Sequence, residues 1–191
     1  RGFHTTPSGH TYVGGWSSMN RYHLFYEDLD GDGTREVVSE INGRWNRVTS
    51  WDAQGNALHD ASFGPGAKSP SRNMRDLVIA DLDADGTMEV ITATSSGLVV
   101  CLDHEMKREW ARAMPAAPNV MMAVPADEGE ALLVACDDGT VALLDASGEV
   151  IRATAVEGRP SWLGMTLVEA EDGPMAVIGT STGAVAGLAV R

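Results

Sequence analysis

The chain has 191 residues, enough for one sizeable domain, with 14 Lys plus Arg against 27 Asp plus Glu and a formal charge of −13. That acidic balance argues against nucleic-acid backbones and anionic membranes as partners. No apolar run approaches the ~18 residues of a membrane helix, and a chain that begins at Arg1 without Met reads as a processed or excised piece.

In chain order, the first twenty residues, "RGFHTTPSGHTYVGGWSSMN", predict a short strand near 1–6 followed by a Gly/Ser-rich linker. "HLFYED" (23–28) and "REVVSEI" (35–41) then read as two strands separated by an acidic turn. "RVTSWD" (47–52) is a third strand, closed by an Asp-x-x-Gly turn, and the apolar stretch after Asn56 is a fourth. The same succession returns three times. "DLVIAD", "VMMAVP" and "LGMTLV" supply the first strand of each later unit, and "MEVITAT", "EALLVAC" and "PMAVIGT" the second. "GLVVCLDHEMKREW" (97–110) aligns with "GTVALLDASGEVIR" (139–152), 42 residues on, and "GAVAGLAV" (183–190) follows 44 later. No segment of helical period and useful length interrupts them.

Four-stranded units repeated every ~40–50 residues describe β-propeller blades. The predicted fold is therefore an all-β, four-bladed propeller in a single domain over 1–191. Its blades are expected at about 21–63, 74–114, 118–156 and 161–191. The last unit stops after three strands, whereas residues 1–20 share an apolar-His pair, a Gly/Pro/Ser linker and a closing Ser and Asn with 58–73. The strand near 1–6 is thus expected to complete the last blade and close the ring, unless the chain is part of a larger propeller.

The acidic turns carry the chemistry. "DLDGDGTRE" places Asp28, Asp30, Asp32 and Glu36 around Gly33, and "DLDADGTME" places Asp81, Asp83, Asp85 and Glu89 around Gly86 at the same spacing. Tightly packed oxygen ligands with a glycine at the sharp turn suit a hard cation such as calcium. An EF-hand is excluded: its twelfth position needs Glu, where these loops have Ser39 and Thr92, and it needs helices where these enter β-rich runs. "VPADEGEALL" and "VEAEDGPMAV" lack the three-acid ladder, so two calcium ions are expected, from the first two units only.

These residues carry a family resemblance. D-x-D-x-D-G-x-x-E entering a strand in ~45-residue blades resembles the FG-GAP/VCBS repeats of integrin-type propellers, and "GTVALLDASGEVI" is similar to PQQ-like repeat blades. The resemblance implies structural calcium at the eight acids above and no quinone site.

Catalytic motifs are absent: no nucleophile elbow, P-loop, dinucleotide fingerprint or zinc spacing occurs. The histidines (4, 10, 23, 59, 104) are scattered and read as surface or structural residues, and Cys101 and Cys136 as buried thiols. Asp52, Asp103 and Asp145 recur before turns and read as turn caps. One stretch breaks the repeat. "INGRWNRV" puts Asn42, Arg44, Trp45, Asn46 and Arg47 where the other units have "TSSG", "CDDG" and "TSTG". A Trp flanked by amide and guanidinium donors suits stacking on a saccharide, an acidic one above all. The expected function is a non-catalytic, calcium-stabilised binding or adhesion module for a glycan or protein ligand, outside the cell, in the periplasm or at the cell surface. The alternative is part of a propeller enzyme such as a rhamnogalacturonan-type polysaccharide lyase.

Overall fold

The computed structural model describes residues 3–5, 11–13, 19–20, 23–43, 45–65 and 73–190. Every regular element among them is a β-strand, and no helix is long and apolar enough to cross a membrane. Arg44 and the side chain of Trp45 lie outside the described residues.

Four antiparallel sheets follow one another along the chain. In the first, β4 (Leu24–Glu27), β5 (Glu36–Gly43), β6 (Trp45–Trp51) and β7 (Ala57–Pro65) pair in sequence, and β3 (Met19–Asn20) pairs with the far end of β5. The second is β8 (Met74–Ala80), β9 (Glu89–Thr94), β10 (Leu98–Leu102) and β11 (Arg108–Ala113). The third is β12 (Pro118–Pro125), β13 (Glu130–Cys136), β14 (Thr140–Leu144) and β15 (Val150–Ala155). Among the described residues the fourth has three strands, β16 (Pro160–Ala170), β17 (Gly173–Thr180) and β18 (Val185–Ala189). We refer to these sheets as blades 1 to 4.

The strand expected to complete blade 4 does not do so. β1 (Phe3–Thr5) pairs instead with β2 (Thr11–Val13), Phe3 opposite Val13, as a separate two-stranded sheet. A hairpin closed over a few residues costs far less loop entropy than pairing with a strand near residue 187.

Meandering strands and tight turns account for each blade. Asp52, Asp103 and Asp145 cap their turns as the repetition implies: Asp145 Oδ1 accepts the N–H of Ser147 and of Glu149, and Asp52 Oδ1 those of Gln54 and Asn56. Blades then stack face to face. Val99, Cys101 and Trp110 of blade 2 meet Leu132, Cys136 and Leu144 of blade 3. Val38 and Val48 of blade 1 meet Leu77, Val90 and Val100 of blade 2, and Val141 and Leu143 of blade 3 meet Ala176 and Ile178 of blade 4. Each fully buried Leu or Val is worth roughly 1.5–3 kcal/mol, so these faces dominate stability. The two cysteines are free and buried; desolvation raises both thiol pKa values, that of Cys136 to about 12, which leaves them inert.

Polar bolts cross the apolar layers. The His23 ring lies 3.1 Å from Glu40 through Nδ1 and 2.9 Å from Asp76 of blade 2 through Nε2. Asp76 Oδ2 in turn accepts the N–H of Met121, 2.6 Å away in blade 3. Three blades therefore share one buried ionic node. Burial opposes a charged imidazole, yet the hydrogen bonds to Asp76 and Glu40 outweigh it and raise the His23 pKa from 6.5 to about 9. With the folded value above the unfolded one, this stabilisation is complete below pH ~6.5 and is lost as pH rises through about 9. Denaturant melts across that window should show stability falling by on the order of 2 kcal/mol. His23→Gln should remove that component of the pH dependence.

Candidate metal centres

Each acidic loop links the first strand of a blade to the second, so its carboxylates stand at one end of the sheets. In loop one, Asp28 Oδ2 accepts the Gly33 N–H at 2.9 Å, Asp30 Oδ1 that of Asp32 at 3.1 Å, and Asp32 Oδ1 that of Thr34 at 2.6 Å. Loop two repeats this pattern with Asp81 on Gly86, Asp83 on Asp85 and Asp85 on Thr87. The backbone thus folds each chain of acids inward upon itself. Oxygens of Asp28, Asp30 and Asp32 lie within 4.8 Å of one another, as do those of Asp81, Asp83 and Asp85.

Two observations test whether a cation fits. Ligands at ~2.3–2.6 Å from a calcium ion stand at most ~5 Å apart, and both clusters meet that bound. Asp28 Oδ1 is buried without a hydrogen-bond partner, an acceptor left with nothing to accept from the protein. Among the described residues no Lys, Arg or His forms an ion pair with any of the six aspartates, so the carboxylates of each cluster repel one another without a directly paired side-chain cation. The donor set is all oxygen and fits a hard cation.

The ninth-position acids are placed differently from the three Asp. Glu36 and Glu89 are buried, and neither joins the close cluster. Glu36 Oε2 accepts the Leu29 N–H at 3.1 Å and Glu89 Oε2 the Leu82 N–H at 2.7 Å, so each pins its loop to the strand it opens. Burial, reinforced by Asp83, Glu109 and Asp81 against the Leu82 hydrogen bond, raises the Glu89 pKa to about 7.

The loops also touch one another. Met88 N–H donates to the Leu29 carbonyl at 2.8 Å, joining loop two to loop one. A Cβ on Gly31 would lie 3.0 Å from the Gly86 carbonyl oxygen. On the other side, a Cβ on Gly129 of blade 3 would lie 2.5 Å from the Leu82 carbonyl, and Glu130 accepts the Asp81 N–H at 3.3 Å. Loop three, which lacks the acid ladder, is thus a backbone buttress for loop two.

The residues expected to form a ligand surface are arranged otherwise. Asn42 is fully buried: its Oδ1 accepts the Met74 N–H at 2.6 Å and its Nδ2 faces Glu40. Asn46 and Arg47 are buried in β6, where Arg47 pairs with Asp60 at 2.6 Å. β5 and β6 run almost into each other, so these residues belong to strands rather than to a projecting turn. Asn42 accordingly ties blade 1 to blade 2, Arg47 ties β6 to β7, Asn46 is buried in β6, and the surface reading of the three is corrected. Sequence reasoning missed a polar cluster at the same end of the sheets. There Arg75 of blade 2 and Arg159 of blade 4 both approach Asp137 of blade 3, at 3.5 and 2.8 Å, beside Asn119.

Residues 10–92 match the family described as FG-GAP-like repeat, and residues 69–158 match the lambda-carrageenase beta-propeller domain. No curated protein sequence matches the chain. Among solved structures, BBS1N in complex with ARL6DN aligns with a TM-score of 0.66 at 13% identity, over 86% of this chain and 46% of that one. BamB from Moraxella catarrhalis aligns with a TM-score of 0.55 at 14% identity, over 85% and 41%. The computationally designed Ika4 protein aligns with a TM-score of 0.64 at 16% identity, over 93% and 94%. The chain thus spans less than half the length of the first two, and at these identities the likeness concerns the fold.

The paired loops make a direct stability test. Ala84 occupies in loop two, at φ 62°, the left-handed place that Gly31 fills in loop one at φ 71°. Gly31→Ala should cost about 1–2 kcal/mol, from the left-handed backbone and the contact with the Gly86 carbonyl. Ala84→Gly should change stability by less than about 1 kcal/mol, since relief of strain is offset by a freer unfolded chain. Urea midpoints of the two variants measure both effects.

Proposed function

We propose that this β-propeller protein of FG-GAP-like repeats is a calcium-stabilised binding module, without catalysis of its own, for a polysaccharide ligand. The observation that carries the reading is the pair of interlocked Asp clusters, each built from three gathered carboxylates. Asp28, Asp30 and Asp32 would hold one ion and Asp81, Asp83 and Asp85 the other. Glu36 and Glu89 serve from beneath by fixing the loop backbone. Bound calcium supplies positive charge against which the carboxylates can be packed closely. The protein's part is to hold them in one place and to transmit the order of the loops into the strand starts at Glu36 and Glu89. Calcium-binding modules that work at ~10⁻⁴–10⁻³ M calcium are extracellular, and a calcium-stabilised module of this kind fits a location outside the cell, in the periplasm or on the cell surface.

A second reading has one specific observation in its favour. The match of residues 69–158 to a lambda-carrageenase propeller domain supports a role as one domain of a polysaccharide-cleaving enzyme. The same match supports polysaccharide as the ligand class in both readings. Affinity electrophoresis in gels containing lambda-carrageenan or a neutral glucan, run with and without EDTA, separates them: retardation without new chain ends supports the binding module. Cleavage by the chain alone would replace it with the enzyme reading.

Calcium should act through stability. A cation that binds only the folded loops at about 100 times its dissociation constant adds ~2.7 kcal/mol per site. EDTA should therefore lower the melting temperature, and Asp30→Ala should reproduce part of that loss. Elemental analysis of calcium-dialysed protein should return two ions per chain. An apo sample whose melting curve does not respond to added calcium would overturn the assignment.

A further inference from the structure

The turns between the second and third strands of blades 2, 3 and 4 are anchored alike. Ser95, Asp137 and Ser181 each donate the backbone N–H to the carbonyl just before the first strand of the same blade. The acceptors are Asn73, Ala117 and Arg159, at 2.7, 2.9 and 2.8 Å. These bonds fix which positions are equivalent, and charges break the series. Asp137 stands where the sister blades have serine, and Arg159 where they have Asn73 and Ala117. Two residues further along, Arg75 of blade 2 corresponds to Asn119 of blade 3. The departures from the repeat meet in space. Arg159 Nε donates to Asp137 Oδ1 at 2.8 Å, and its Nη2 lies 3.4 Å from Asn119 Oδ1. Arg75 reaches the same two residues from the other side, each at 3.5 Å. Asn119 is buried and its Nδ2 donates to the Pro160 carbonyl at 2.6 Å, which fixes the oxygen that both arginines share.

One carboxylate therefore faces two guanidinium groups, and it is committed to Arg159. Arg75 is the under-paired cation: its contacts are at the long limit of a hydrogen bond, and its buried Nε has no partner among the described residues. Asp138, next in the turn, is exposed and accepts the Thr140 N–H instead. The Arg159 side chain is 49% exposed, so the pair opens to solvent on one side. We infer that Arg75 and Arg159 form an oxyanion-binding site, whose ligand is the sulfate or carboxylate group of an acidic polysaccharide. This rests on the polysaccharide-binding reading above and names the part of the ligand that is held. Guanidinium forks match the paired oxygens of such groups and bind them in two parallel bonds. Asp137 and Asn119 hold the two forks side by side from three successive blades. The site lies at the end of the sheets opposite the Asp loops, since the strands between them run the full length of each blade. A chain of net charge −13 repels a polyanion over most of its surface, so a local excess of positive charge decides where the acidic chain is held.

The test is affinity electrophoresis of the calcium-loaded 191-residue chain in gels of lambda-carrageenan, polygalacturonate or a neutral glucan. The chain should be retarded by an acidic polymer and not by the glucan, and the acidic gel that retards it more tells sulfate from carboxylate. Arg159→Gln should raise the apparent Kd for that polymer about tenfold or more. Its melting temperature should stay unchanged, because an exposed ion pair contributes little to stability. Arg75→Gln should weaken binding as much. Lys107→Gln removes the same charge from an exposed turn at the opposite end of blade 2 and should leave the Kd within about twofold. Retardation by none of the three polymers would overturn the polysaccharide-binding reading and this site with it. Three other results would overturn the site alone and leave that reading standing. They are equal retardation by the neutral glucan, acidic-polymer binding that Arg159→Gln leaves intact, and an equal loss in Lys107→Gln. A fall in melting temperature that accounts for the loss in Arg159→Gln would likewise make the pair a tie between blades and overturn the site.

Discussion

Face-to-face packing of one blade on the next is the constraint from which the rest of the molecule follows. A four-stranded antiparallel sheet has two faces, and a small one cannot bury both by itself. Blades 2 and 3 bury both because a neighbour stands on each side: all of Glu89–Thr94 is buried, and so is nearly all of Glu130–Cys136. Among the described residues blade 4 packs its apolar face on blade 3, and β17 reverts to strict alternation between buried and half-buried positions. The same strand type thus reads as a continuous apolar run in the middle of the stack and as an amphipathic one at its end. Stability is quasi-additive in such an array, each interface depending on its two faces.

Within that array, polar groups are used where apolar packing alone fixes nothing about alignment. His23, Glu40 and Asp76 set blade 1 against blade 2 through directed bonds, and Asp76 reaches on to Met121. Trp110 Nε1 donates to the Ala146 carbonyl at 2.8 Å and Arg112 to that of Gly148, so blade 2 also grips the turn of blade 3 from the outside. Buried ionic nodes contribute little net stability beside apolar residues of equal volume, but breaking one leaves an uncompensated charge. Their effect is to make one blade alignment costly to leave.

What was legible in the sequence divides along the same line. Strand alternation, the Asp-x-x-Gly turns and the two acid ladders recur at a fixed interval, and each depends on neighbours within about ten residues. Local physics therefore specifies them, and repetition exposes them. The His23 node joins residues 17 and 53 positions apart, and Arg47 finds Asp60 only because β6 pairs with β7. No periodicity marks such partners. The stretch 42–47 misled for a related reason: Asn and Arg types suggest a wet turn, yet Asn42 accepts the Met74 N–H of blade 2 and Arg47 pairs with Asp60. Likewise Phe3 carries the pattern of an outer strand, but pattern alone does not choose between a near partner and a distant one.

The acid loops join the two levels. Their ladders are local, but the consequence of their order is not, because loop two is clasped on both sides. The Met88 N–H holds it to Leu29 of loop one, and Gly129 and Glu130 hold it to blade 3. Glycine is required at Gly31 and Gly129 for approach as much as for conformation, since a Cβ there would meet a carbonyl of the neighbouring loop at 3.0 and 2.5 Å. Six carboxylates in two adjoining loops repel within each cluster and between clusters. Any cation that relieves one loop therefore tightens the backbone against which the next is folded. The rim of acids is in this sense part of the blade-to-blade interface: it fixes at the sheet ends the alignment that the apolar faces fix between them.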